Sequence, residues 1–152
     1  MTIRNAVRSD LARITEIMIR SFRSSFAGFV SSETMDRCTN ECNCQAMLEQ
    51  LYQQDTMHFL IGETSGMLIW QQYDDHAELE ALHVLPEFHG TGLGHALLTE
   101  ALRQIGGSSV HLWAFKENHR ARRFYEKHGF HWDGRERISE FDDAVEICYV
   151  LP

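Results

Sequence analysis

The amino-acid sequence predicts an α/β domain, and three observations carry that expectation. Apolar runs of strand length alternate with segments whose apolar residues recur at helical spacing. One such run ends at Val84-Leu85, meets Pro86, passes through a glycine-rich turn and enters a helix at once. The 152 residues suffice for one domain with a proper core, and residues 1–152 read as a single unit without repeats, linkers or low-complexity stretches.

The elements follow in order. Residues 2–7 read as a short strand. Residues 9–25 read as an amphipathic helix with Leu11, Ile14, Ile17, Met18 and Phe22 on one stripe and Ser9 or Asp10 near its start. Residues 32–54 read as one polar, lid-like second helix. Strands near 57–62 and 67–73 are joined by the turn Thr64-Ser65-Gly66. A strand at 77–84 leads into the glycine turn and a helix at 93–105, which Gly106-Gly107 stops. Residues 110–115 form a strand. Asn118 can cap a helix over 118–128 that Gly129 ends. Two last strands, near 130–138 and 144–151, flank the acidic turn Glu140-Phe141-Asp142-Asp143.

Charge narrows the class. A formal net charge of -8 argues against general nucleic-acid or membrane-surface binding. No apolar run reaches spanning length and no leader opens the chain, so a soluble cytoplasmic protein is expected. Against the acidic background, Lys116, Arg120, Arg122, Arg123 and Lys127 make one basic helix, suited to a polyanion or to ordinary i,i+4 pairing. Cys38, Cys42 and Cys44 cluster at a spacing that is not a standard zinc pattern, so no metal is expected. Cys38 and Cys42, at i and i+4, fit one helix face as small buried hydrophobes.

Chemistry concentrates in two segments. The first is His89-Gly90-Thr91-Gly92-Leu93-Gly94-His95, following Val84-Leu85-Pro86. Glycines at alternate positions let backbone approach a ligand with no Cβ between. The free N–H groups of the helix's first turn then favour a phosphate or pyrophosphate. This is not the nucleotide-triphosphate loop, because Gly-Lys-Ser/Thr is missing, and it fits the dinucleotide fingerprint poorly. A tight turn without a ligand is the alternative reading. The second segment runs Asn118-His119-Arg120-Ala121-Arg122-Arg123-Phe124-Tyr125-Glu126-Lys127-His128-Gly129-Phe130. Asn118, Arg122 and Tyr125 fall at i, i+4 and i+7 and share a face, with Ala121 and Phe124 beside it.

Together these segments resemble the GNAT superfamily of acetyl-coenzyme A-dependent N-acetyltransferases. That family's pyrophosphate loop, Gln/Arg-x-x-Gly-x-Gly/Ala, is matched from His89 to Gly94. Its Asn-x-x-Ala-x-x-Phe-Tyr-x-x-x-Gly-Phe is matched from Asn118 to Phe130, and the opening from Ile3 to Leu11 is also similar. His89 departs from the usual Gln or Arg, and as a neutral imidazole it could only hydrogen-bond there. Glu78 to Phe88 also looks like the polyamine-acetylating PaiA-like branch.

The resemblance implies a mixed, mostly antiparallel sheet of about seven strands flanked by about four helices. It also implies acetyl-coenzyme A as cosubstrate, with no metal. Leu82, His83 and Val84 would pair with the pantetheine arm through their backbone like an added strand. His89 to His95, Asn118, Ala121, Phe124, Tyr125 and Lys127 would hold the rest. Tyr125 would protonate the leaving thiolate or hold its sulfur. Glu78 and Glu80 alternate on one strand face, and either can take the amine's proton. His83 points the other way on simple alternation.

The expected partner is a small-molecule amine, cationic if the acidic residues Asp74, Asp75, Glu78, Glu80 and the turn from Glu140 to Asp143 surround it. Phe22, Phe26 and Phe29 line an apolar wall there or belong to the core. Transfer is expected to be direct, within a ternary complex. Protein N-terminal acetylation and a non-catalytic acyl-coenzyme A sensor are the competing functions, and the resemblance leaves room for a homodimer.

Overall fold

The computed structural model describes all residues from Met1 to Pro152. Seven strands form one sheet: β1 (Ile3–Asn5), β2 (Met57–Gly62), β3 (Gly66–Gln72), β4 (His76–Val84), β5 (Ser109–Phe115), β6 (His131–Ile138) and β7 (Val145–Leu151). Their order is β1-β2-β3-β4-β5-β7-β6. Only β4 and β5 pair in parallel; every other pair is antiparallel. That is the mixed, mostly antiparallel sheet expected.

The helices number five rather than about four: α1 (Leu11–Phe26), α2 (Ser32–Cys38), α3 (Glu41–Tyr52), α4 (Leu93–Ile105) and α5 (His119–Lys127). The single helix expected over 32–54 is two. Asn40 leaves helical geometry, and its side chain caps α3 by accepting from the Asn43 N–H at 3.0 Å. Ser31 likewise caps α2 by accepting from Thr34 N–H at 3.1 Å. Cys38 and Cys42 therefore lie on different helices and share no face. Cys44 is buried and Cys42 exposed.

Two cores clasp the sheet. On one face Leu60, Leu68, Trp70, Ala77, Leu79, Leu112 and Ile147 pack beneath Leu93, Leu97, Leu98 and Ala101 of α4, with Phe124 and Tyr125 of α5 at the margin. On the other face Phe59, Ile61, Met67 and Ile69 pack against Leu11, Ile14 and Ile17 of α1 and Leu48 of α3. Alternation along each strand thus feeds both layers.

One irregularity decides where the site lies. Between β3 and β4 the register runs Ile69↔Ala81 and then Trp70↔Leu79, so Glu80 is an extra, bulged residue. Ala77 and Leu79 before the bulge, and Leu82 and Val84 after it, all face α4. Ala81 faces α1 instead. The bulge therefore flips the strand's parity. His83, expected to point away from Glu78, lies with it on the α1 side, and its Nδ1 is 3.0 Å from Ser21 Oγ of α1.

Pairing between β4 and β5 stops one residue before the bulge. It runs from His76↔Ser109 to Leu79↔Leu112 and no further. Beyond Leu79 the strands part, and the backbone from Glu80 to Val84 faces an open gap.

Candidate active site

That gap is a cleft of about 920 Å³. Its walls are the second half of β4, the glycine turn and first turn of α4, the end of β5, and α5, with α1 and the β6–β7 turn closing one end. Of the residues expected from the sequence, Glu80, Leu82, His83, Val84, His89, Gly90, Gly92, Leu93, Gly94, His95, Asn118, Ala121, Phe124, Tyr125 and Lys127 line it. Glu78 and Thr91 do not. Glu78 sits lower on β4, before the bulge, with its carboxylate 3.9 Å from His76 Nε2. Thr91 turns its hydroxyl inward to donate to Phe88 O at 2.6 Å.

The phosphate end is built by backbone. Gly90 and Gly92 adopt φ of +78° and +88°, in the left-handed region where a Cβ is strained. The α4 ladder opens with Ala96 N–H donating to Gly92 O, so the N–H groups of Leu93, Gly94 and His95 have no intrahelical acceptor. A Cβ on Gly94 would stand 3.4 Å from Phe124 Cε1, a contact the protein tolerates. The bare Cα there keeps the cleft open for a ligand. His89 spends its side chain on the turn itself: Nε2–H donates to Val84 O at 3.0 Å.

Helix α5 closes the same end. Asn118 caps it, Oδ1 accepting from Ala121 N–H at 3.2 Å. Gly129, at φ +92°, ends it, and Phe130 N–H returns to Tyr125 O. His128 Nδ1–H donates to Phe124 O at 2.7 Å, which leaves Nε2 to accept from His95 Nδ1–H at 2.7 Å. Of the basic residues, Arg120 and Lys127 line the cleft. Arg122 is structural, donating to Tyr149 Oη at 3.0 Å and to Lys116 O at 2.9 Å, while Lys116 pairs with Glu136.

Two titratable groups face the middle of the cleft. The Tyr125 ring packs on Phe124 and Phe130, and burial alone pushes its hydroxyl up to about 12. Glu80 is an exposed residue. Crowding by the cleft walls, with Glu78 nearby, nevertheless holds its carboxyl above the ordinary carboxylate range, and Arg137 only partly opposes this. On the α1 side, burial lowers His83 to about 4, so its imidazole is neutral at physiological pH.

Sequence reasoning passed over several of the lining residues. Phe115, Phe141, Trp113, Ser21, His119, Arg120 and His128 all face the cleft. Arg120, His119 and His128 lay within a recognised segment. Phe115 and Phe141 belong to a strand end and a turn, and only the sheet register brings them to α1. The acidic patch, conversely, is dispersed. Asp75 pairs with His76, and Asp142 accepts from Thr34 Oγ1 and Ser31 N–H. Glu146 pairs with Arg137 at 3.0 Å.

Residues 13–130 match the family described as the acetyltransferase (GNAT) family. A probable N-acetyltransferase of Mycobacterium tuberculosis is 27% identical over 144 residues, covering 88% of this chain and 81% of its own. Among solved structures, the PaiA N-acetyltransferase of Thermoplasma acidophilum in complex with coenzyme A superposes with a TM-score of 0.78. It is 20% identical, with 98% of this chain and 96% of that one covered. A mutant form of the spermidine N-acetyltransferase SpeG of Vibrio cholerae gives 0.71 at 17% identity over 99% and 94%. At such identities these two structures bear on the fold. The family match spans most of the chain and includes both segments that flank the cleft, and the chain accordingly belongs to the acetyltransferase (GNAT) family and is an N-acetyltransferase.

Proposed function

We propose that the protein transfers an acetyl group from acetyl-coenzyme A to the primary amine of a small molecule, by direct attack in a ternary complex within the β4–β5 cleft. The observation that carries this reading is a convergence on one cleft: a glycine cradle with free helix N–H groups at one end, and a phenol and a carboxylate further in. The cradle fits a pyrophosphate in charge, in its N–H donors and in the space above Gly94. Arg120 and Lys127 add positive charge on the same wall. The coenzyme, when bound, supplies the activated thioester.

Glu80 removes the first obstacle. An alkylammonium with a pKa of ~10.4 loses its proton at pH 7 at a cost of roughly 4–5 kcal/mol. A carboxylate with a raised pKa accepts that proton more readily than an ordinary one, directly or through a water. A backbone N–H near Leu82, on the edge of β4 that β5 leaves unpaired, would donate to the developing oxyanion.

Burial favours one of the two roles of Tyr125. A hydroxyl pushed up to about 12 gives up its proton reluctantly. Tyr125 therefore acts by donating a hydrogen bond to the departing sulfur, which stabilises its charge as the bond breaks.

Thiol release from acetyl-coenzyme A, followed with and without a panel of primary amines, tests the reading. Amine-dependent release with intersecting initial-rate lines is expected. Coenzyme binding without release in the presence of any amine would leave a sensor rather than an enzyme.

A further inference from the structure

The end of the cleft beyond Glu80 is walled by aromatic rings. Phe22 and Phe26, at i and i+4 of α1, have centroids 4.6 Å apart. Phe26 meets Phe115 edge-on at 5.2 Å, and Phe115 stacks on Phe29 at 6.1 Å. Phe141, from the β6–β7 turn, approaches Phe115 at 5.8 Å and Phe22 at 5.9 Å. All five line the cleft, and only Phe115 is fully buried. The other four keep part of their surface open to it. A concave wall of half-exposed rings offers apolar area to a ligand.

Part of the charge at this end is already paired. Three carboxylates line the cleft: Glu80, Glu117 and Glu146. Glu146 lies opposite Phe115 in the β5–β7 register and is neutralised by Arg137. Glu117 stands in the turn after β5, 3.9 Å from His119 Nε2. Asp142 is committed to Ser31 and Thr34. Glu80 on β4 and the exposed Glu117 in the turn after β5 remain free to meet a cation, and the neutral His83 neither attracts nor repels one. The Arg137–Glu146 pair ties the two halves together, since Arg137 also acts on Glu80 while Glu146 flanks Phe115.

We propose that the acceptor is a primary monoamine with an apolar, ring-sized arm, its amine at Glu80 and its arm among Phe22, Phe26, Phe29, Phe115 and Phe141. This rests on the acetyl-transfer reading above and specifies the substrate class. A polyamine fits less well, because a second ammonium placed among the phenyl rings would be desolvated there, and Glu146, the carboxylate opposite Phe115, is already paired with Arg137.

The test is a comparison on the wild-type enzyme, with acetyl-coenzyme A and thiol detection. The amines are 2-phenylethylamine, ethylamine, putrescine, spermidine and a short peptide with a free N-terminus. The expected kcat/KM for 2-phenylethylamine exceeds those of both polyamines and of the peptide by about tenfold or more, a ring's worth of apolar contact. Phe26→Ala and Phe29→Ala, if they melt as wild type does, should each cut the ratio of kcat/KM for 2-phenylethylamine to that for ethylamine by about tenfold. Equal or better turnover of a polyamine or of the peptide overturns the proposal while leaving acetyl transfer intact. So does an unchanged ratio in well-folded variants. No release with any amine, despite coenzyme binding, overturns both.

Discussion

Tyr125 and Glu80 carry the proposed chemistry, His83 lines the same cleft, and each makes a separable claim. Tyr125→Phe keeps the ring packed on Phe124 and Phe130 but removes the proposed hydrogen bond to sulfur. Turnover should fall by ~10²-fold with coenzyme affinity nearly unchanged, as for loss of one charge-stabilising donor. Steady-state rates beside calorimetric titration check this. Glu80 makes a pH claim. With its carboxyl above the ordinary range, activity should rise with pH as Glu80 loses its proton. Glu80→Gln should flatten that limb and show its largest defect near neutrality, where the amine is mostly protonated; a pH–rate profile decides.

His83 makes a stability claim. The unfolded chain takes up this proton below about pH 6.5, whereas the folded state takes it up only near 4. Folding stability attributable to His83 is thus fully present above pH 6.5 and is lost as pH falls toward 4, by up to about 3 kcal/mol. Denaturant melts of wild type and His83→Gln at several pH values in that window should show the variant's shallower decline. Of these three residues, Tyr125 was legible from spacing and resemblance together. Glu80 was legible only as one of two glutamates. What separates it from Glu78, and what turns His83 toward α1, is a bulge that depends on strand pairing and leaves no mark in a window of sequence.

Among the elements, α2 is held in place by the β6–β7 turn. Asp142 accepts from Thr34 Oγ1 and from Ser31 N–H, which holds its carboxyl below the usual range. A depressed carboxyl contributes stability above its unfolded pKa of ~3.9 and loses it as pH falls through the folded value. Asp142→Asn should therefore melt below wild type at neutral pH, with the gap closing in acid. Because the same contacts border the phenylalanine wall, the KM for the amine should rise more than that for the coenzyme. Most helices and strands announced themselves by periodicity and caps, and the two-glycine stop after α4 held as expected, with Gly106 at φ +73°. The break between α2 and α3 did not, although Asn40 is a good N-cap. Polar sequence on both sides gave no change of period to mark it.

At the scale of the whole molecule, the candidate site follows from one interruption of the sheet. Layers of α1 and α3 on one face, and α4 and α5 on the other, hold β4 and β5 together as far as Leu79 and let them part beyond it. No helix is long and apolar enough to cross a membrane. The layered architecture was legible from element order, through resemblance. The meeting of α1, β5 and the last turn around an aromatic wall was not, because it joins residues as far apart in the chain as Phe22 and Phe141. The central claim is that the parted strands and the glycine turn hold the coenzyme. Calorimetric titration of acetyl-coenzyme A into wild type and Gly94→Val, with melting curves as the control for folding, tests it most directly. The account expects a cooperative melt in both proteins and heat of binding in wild type alone; equal affinity in the two would contradict it.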